Sequence, residues 1–142
     1  MQHKHLAIAA VIEIARQERD THRAVKAKSL SMALAQNPRA LEVHLQTLCA
    51  QGFLTGARGP YGGYRLARDP HKITLGQLYQ ALLASELETD AHLDSVPGAA
   101  ALIGVLAECE SDRIKSMETY TVADLLALAD AAVEAMRRAP AF

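Results

Sequence analysis

The sequence predicts a mainly α-helical protein with one short β-hairpin. Apolar residues recur at helical spacing along most of the 142 residues. Residues 53–67 differ, because two short apolar runs flank a turn rich in Gly and Pro there, which is the pattern of a hairpin. Half of the chain is hydrophobic, yet it has only four Tyr, two Phe and no Trp. We therefore expect a core in which helices pack through Ala and Leu.

Three helices are expected before the hairpin, at residues 4–19, 28–35 and 38–51. The third has the clearest start, since Asn37 is a good N-cap and Pro38 lacks an N–H that the first helical position would leave unpaired. Gly52 follows its end, where glycine is preferred. The second and third helices, with a short turn between them, predict a helix-turn-helix. In the first two helices we expect a buried set of Leu6, Ala9, Ala10, Ile12, Ile14, Leu30, Ala33 and Leu34.

The third helix has two different faces. Leu41, Leu45 and Leu48 follow each other at spacings of four and three, so they are expected to face the core. The opposite face carries side chains that can read base edges, because Arg pairs with guanine, Glu with cytosine and Gln with adenine, while Val touches a thymine methyl. An ordinary amphipathic helix with a solvated outer face is the alternative. The residues of this face, with the helix start, are Asn37, Pro38, Arg39, Glu42, Val43 and Gln46.

The hairpin that follows is basic, which favours the DNA-reading interpretation. Its turn contains Gly59, Pro60 and a Gly pair, and arginines lie at the tip and on the return strand. A basic hairpin directly after a helix-turn-helix is typical of a wing, which reaches phosphates or the minor groove while the preceding helix enters the major groove. The wing residues expected to contact DNA are Arg58, Gly59, Tyr61 and Arg65.

Charge divides the chain into two unlike halves. Residues 1–72 hold eleven Lys and Arg against five Asp and Glu, a net +6, whereas residues 73–142 hold four against eleven, a net −7. A basic half is suited to a polyanion and an acidic half is not. Double-stranded DNA is therefore the partner expected for the first half.

The second half predicts helices that join two subunits. Capping boxes at Thr74 and Thr121 predict two helix starts, one for a helix at residues 74–84 and one for the last helix. A long helix is expected between them, at residues 98–118. Both late helices carry more apolar surface than one small domain needs. We therefore expect three regions along the chain. They are a winged helix-turn-helix DNA-binding domain (the head) at residues 1–84, an acidic connecting loop at residues 85–97 and a helical dimerisation region at residues 98–142. The expected dimer contacts are Leu102, Val105, Leu106, Cys109, Ile114 and Met117.

Several other classes of protein are not supported by the sequence. We find no nucleophile beside a base, no phosphate-binding loop and no set of metal ligands, so an enzyme is not expected. No apolar run reaches the roughly 20 residues that a membrane span needs, and no signal peptide opens the chain, so the cytoplasm is the expected location. Two distant cysteines, Cys49 and Cys109, do not form a disulfide framework. Cys109 fits either a small apolar residue or a redox thiol.

Together these motifs resemble the Rrf-two-type winged helix-turn-helix transcriptional regulators. The resemblance rests on residues 5–9, 37–38, 52–54, 58–66, 73–75 and 120–125, of which the wing is the most specific. It implies a homodimer whose long helices cross at a two-fold axis and whose heads bind a palindromic operator, most simply as a repressor. It also implies that Glu42 and Arg58 contact bases in the major and minor groove. A winged-helix module that binds protein without an operator is the alternative function.

One departure from the family concerns its cofactor. Members that bind an iron–sulfur cluster carry three closely spaced cysteines before and within the long helix, whereas this chain has none between Cys49 and Cys109. A cluster needs about four ligands, mostly thiolate. The Asn37-Pro38 helix start also resembles the branch without a cluster. We therefore expect no cofactor, and a signal that is a small-molecule effector, thiol oxidation or neither.

Overall fold

A computed structural model describes residues 3–84 and 95–140. Within them the chain is mostly helical with one two-stranded antiparallel hairpin, which confirms the predicted fold class. None of the described helices is both long and apolar enough to span a membrane. Residues 85–94, most of the expected acidic loop, lie outside the described residues. The elements are α1 (His3–Thr21), α2 (Ala27–Leu34), α3 (Pro38–Ala50), β1 (Leu54–Ala57), β2 (Gly63–Leu66), α4 (Leu75–Ala84), α5 (Pro97–Met117) and α6 (Val122–Arg138), with a 3-10 turn at Pro70–Lys72.

The core is built by α1 and α3 against α2, α4 and the start of α6. Leu41, Leu45 and Leu48 are fully buried, as their spacing predicts, and Ile14 of α1 is too. The prediction for α2 is wrong at Ala33, which is exposed. The reason is that this eight-residue helix offers the core only a narrow face, with Leu30 fully buried and Leu34 partly buried.

The start of α3 forms as its sequence predicts. The Asn37 side chain accepts a hydrogen bond from the backbone N–H of Arg39 at 2.9 Å, and Pro38 occupies the first helical position. At the other end the backbone N–H of Phe53 donates to the Leu48 carbonyl, while Gly52 takes a φ of +80°. Local signals therefore determine where this helix begins and ends.

The hairpin is anchored to the turn before α2. Leu54 pairs with Leu66 and Ala57 with Gly63. Val25 and Tyr64 exchange two backbone hydrogen bonds, of 2.9 and 2.8 Å. Val25 thereby forms an isolated antiparallel bridge to β2. Only glycine fits at position 63, since its φ is +141° and a Cβ there would lie 2.6 Å from the Val25 carbonyl oxygen. Strand β2 of the wing is therefore bonded to β1 on one side and to Val25 on the other.

Two capping boxes face each other on the far side of the core. Thr74 and Gln77 exchange hydrogen bonds of 3.0 and 3.1 Å, and Thr121 and Asp124 exchange bonds of 2.9 and 3.1 Å. The backbone hydrogen bond from Thr121 holds the pKa of Asp124 below its usual value. Thr74 and Thr121 also form an isolated β-bridge, which places the start of α6 against the head. Val122 and Leu126 are consequently part of the same hydrophobic core as α1.

The long helix α5 approaches the core only near its C-terminal end. Gly76 of α4 permits this approach, because a Cβ there would lie 2.9 Å from the Ile114 carbonyl oxygen. Ile114 and Met117, expected at a dimer contact, are partly buried against the core of their own chain. Among the described residues, the N-terminal two-thirds of α5 has no such packing, and its side chains Leu102, Val105 and Leu106 are all more than half exposed. Cys109 is exposed as well.

Candidate nucleic-acid interface

The outer face of α3 is the first part of the candidate interface. Arg39, Glu42, Val43 and Gln46 are all exposed, on the side away from the buried leucines. The Gln46 amide donates a long hydrogen bond of 3.4 Å to Glu42. Because this bond is weak and exposed, both side chains can exchange it for bonds to base edges. At the helix start Asn37 and Pro38 are exposed too, and the Asn37 oxygen is already used to cap the helix.

The wing presents its tip to solvent beside α3. The turn is closed by a hydrogen bond of 2.9 Å from the Gly62 N–H to the Gly59 carbonyl. Tyr61 is 96% exposed, and Arg58 and Gly59 are exposed beside it. Within residues 3–84 and 95–140, Arg58 makes no ion pair. Its charge is therefore available to an external anion.

A cleft of about 510 Å³ brings the wing and α3 together. Gln46 and Cys49 line it from α3, and Arg58 and Gly59 line it from the wing. Small residues on the wing side leave this space open. The structure thus brings together sequence-predicted residues that lie twelve or more positions apart.

Arg65, also expected to contact DNA, faces α1 instead of this cleft. Its guanidinium lies 3.5 Å from the Glu18 carboxylate and donates to the His22 carbonyl at 3.4 Å. The second Glu18 oxygen accepts from the backbone N–H of Leu66 at 3.0 Å. Glu18 therefore holds β2 through both a side chain and the backbone, and Arg65 contributes to the attachment of the wing.

The next arginine, Arg68, is also used within the head. It stacks over the Phe53 ring at 4.6 Å and donates to the Gly52 carbonyl at 3.1 Å. This places a cation at the C-terminal end of α3, where the helix dipole favours it. Of the three wing arginines, only Arg58 lies in the cleft.

Sequence reasoning missed Lys26, which lines the same cleft from the turn before α2. Lys26 falls between the helices predicted at residues 4–19 and 28–35, and no role is predicted for it from the sequence. The signal in the sequence was the close spacing of Arg23, Lys26 and Lys28, three cations without an intervening acidic residue.

Two ionisable groups at the inner side of the cleft are shifted toward their neutral forms. Burial raises the pKa of the Cys49 thiol, and burial together with nearby Cys49 and Glu42 raises the pKa of Tyr64. Cys49 is partly buried against the core. A thiol with a raised pKa is a poor nucleophile.

The described residues offer no group of three or more His, Cys, Asp or Glu able to hold a metal ion. Cys49 lies at the wing cleft, whereas Cys109 is exposed on α5. These two donors belong to separate parts of the chain and do not fit an iron–sulfur cluster, which needs about four ligands.

Comparison with known proteins agrees with this geometry. The family model Rrf2, described as an iron-dependent transcriptional regulator, matches residues 2–128. No curated protein matches the chain. Among solved structures, IscR of T. potens is similar at a TM-score of 0.71 and 24% identity, over 93% of this chain and 88% of that one. CymR (YrzC), the global cysteine regulator of B. subtilis, is similar at a TM-score of 0.68 and 21% identity, over 90% of this chain and 95% of that one. CymR of Staphylococcus aureus is similar at a TM-score of 0.63 and 19% identity, over 87% of this chain and 94% of that one.

Proposed function

We propose that this chain, which belongs to the Rrf2 family of transcriptional regulators, is a repressor that binds a palindromic operator as a homodimer. The family consists of regulators rather than enzymes, and the winged-helix fold is shared with IscR and CymR. What the chain's own residues add is a specific assignment of the surface that binds DNA.

The observation that carries the proposal is the single cleft shared by Gln46 and Arg58. A helix in the major groove and a wing in the next minor groove must approach the same DNA strand from two sides. α3 supplies an exposed polar face for base edges, and Arg58 supplies a cation without an intramolecular ion pair among the described residues. Glu42 is assigned to a cytosine, Gln46 to an adenine and Arg39 to a guanine.

The homodimer is supported by α5. An exposed apolar stripe of Leu102, Val105, Leu106 and Cys109 on a 21-residue helix exceeds what scattered surface residues produce. Two copies of the chain joined along this stripe are related by a two-fold axis. Such an axis allows the two α3 helices to occupy half-sites one DNA turn apart, roughly 34 Å.

We also propose that the protein works without a conventional iron–sulfur cluster, although its family is described as iron-dependent. This part of the proposal rests on two observations. The sequence has no third cysteine, and Cys49 and Cys109 lie in separate parts of the fold. Protein purified without oxygen should be colourless and contain no stoichiometric iron. Visible absorbance with bound iron and sulfide would contradict this part of the proposal.

The main experiment is selection of an operator from random duplexes, followed by binding of wild type and Arg58→Ala to the operator and to a random duplex at one salt concentration. Arg58→Ala should lose more affinity for the operator than for random DNA, because an arginine in a narrow minor groove reads shape as well as charge. Arg138→Ala, which removes an exposed α6 cation paired with Glu134, is the matched control. Failure to select any sequence, with binding insensitive to salt, would favour the protein-interaction alternative.

A further inference from the structure

The cations of the head fall into two groups. Arg16, Arg19 and Arg65 form ion pairs with carboxylates, as the bond between Arg19 and Asp130 at 2.7 Å illustrates. Among the cations that form no ion pair with any described residue, Arg23, Lys26 and Lys28 follow one another closely in the sequence. We call these three the basic track. Like charges this close repel one another, so an anion from outside the chain would stabilise them.

The basic track continues the cleft between α3 and the wing. Lys26 lines that cleft and also a second one of about 420 Å³, between the end of α1 and the start of α2, which Arg23 and Lys28 line too. Neither cleft is lined by Asp or Glu. The clefts beside the other side of α1 differ, because Glu18 lines one and three carboxylates line the other. A path of positive charge therefore leads from Arg58 through Lys26 to Arg23.

The backbone under the basic track is fixed. The backbone N–H of Arg23 donates to the Thr21 hydroxyl at 3.3 Å, and Val25 is held by its two hydrogen bonds to Tyr64. Ser29 of α2 donates to Gln17 of α1 at 2.7 Å, which joins the two helices behind the track. A fixed backbone loses little freedom on binding, so the ordering cost at the basic track is confined to its three side chains.

We propose that the basic track binds successive phosphates of one DNA strand, beyond the base pairs that α3 reads. The inference rests on the proposed function. With α3 in the major groove and the wing in the minor groove, the strand between the two grooves crosses the larger cleft and continues over Lys26 toward Arg23 and Lys28. These contacts carry no base information; they set the position of the head and add affinity for any duplex.

The test compares two triple variants that remove equal charge. R23Q/K26Q/K28Q removes the basic track, and K115Q/R137Q/R138Q removes three cations from α5 and α6. We expect the first variant to flatten the slope of log affinity against log salt by about 2–3, at about 0.9 per lost phosphate contact, on operator and random duplexes alike. The selected base preferences should stay unchanged, and the control should keep the wild-type slope.

Phosphate ethylation interference locates the contacts. In wild type, ethylation of phosphates outside the bases read by α3 should reduce binding, and this effect should disappear in R23Q/K26Q/K28Q. An unchanged slope, an equal change in both variants, or interference that persists would overturn the inference. Failure of the proposed function would look different, because wild type itself would then show no salt-dependent binding to DNA.

Discussion

Helices α3 and α5 both carry apolar side chains, but among the described residues α3 buries its whole apolar face, whereas α5 packs only its C-terminal end against the core. In α3 three leucines are fully buried and the polar side is left to solvent. In α5, a longer helix of 21 residues, no residue is fully buried, and Leu102 and Leu106 are 57% and 56% exposed. The difference shows that α3 is positioned by its own chain. We infer that α5 is positioned by a second copy.

The largest effect should follow from placing a charge on the buried side of α3. Leu45→Asp removes a buried side chain, which costs about 2–5 kcal/mol even for alanine, and adds an unpaired carboxylate to the core. Circular dichroism should show an unfolded head at room temperature. Val43→Asp, on the exposed side of the same helix, should melt close to wild type. A folded Leu45→Asp protein would show that α3 is not held by this face.

The same change on α5 should separate subunits without unfolding them. Leu106→Asp should be monomeric by light scattering and keep the wild-type helical signal, because the side chain is 56% exposed in one chain. Loss of the linked second head should reduce operator affinity by about 100-fold or more. Ser111 lies on the opposite side of α5, because successive helical residues are turned by about 100°. The Ser111→Asp variant should therefore remain dimeric. A Leu106→Asp dimer that still binds the operator tightly would refute the assignment of this stripe.

On the polar side of α3 the expected effect is smaller and confined to sequence preference. Glu42→Ala should relax discrimination at one base pair in each half-site by about 1–3 kcal/mol, since a bond to cytosine is lost. Operator selection with the variant measures this directly. Gln51→Ala, exposed just beyond the end of the helix, should select the wild-type operator. Unchanged preference at every position in Glu42→Ala would reject its role.

The smallest effect concerns the attachment of the wing to α1. Glu18→Ala removes the acceptor of the Leu66 N–H and the partner of Arg65, so we expect about a 3–10-fold loss of operator affinity, the size of one hydrogen bond. If Glu18 acts by positioning Arg58, the Glu18→Ala/Arg58→Ala double variant should lose less than the two single losses combined. Additive losses would mean that Glu18 affects stability alone. Asp20→Ala, in the same turn, is the control and should leave affinity unchanged.

Features that depend on neighbouring residues could be predicted from the amino-acid sequence alone. The N-cap at Asn37, the capping boxes at Thr74 and Thr121, and the buried leucines of α3 all formed as expected. Each depends on groups within about one helical turn, so a short stretch of sequence specifies it. The Rrf2 family was also evident from the sequence, because its motifs are short segments of this kind.

The roles of several similar side chains, in contrast, depend on how the helices and the wing pack together in three dimensions. Arg58, Arg65 and Arg68 look alike in the sequence of the wing, but the last two are engaged by α1 and by the end of α3. The Glu18 carboxylate that holds β2 lies 48 positions before Leu66. Likewise Met117 and Leu106 share one apolar pattern on α5, yet only Met117 packs against the core. Contacts between residues this far apart depend on how the helices are placed against each other, which no local pattern encodes.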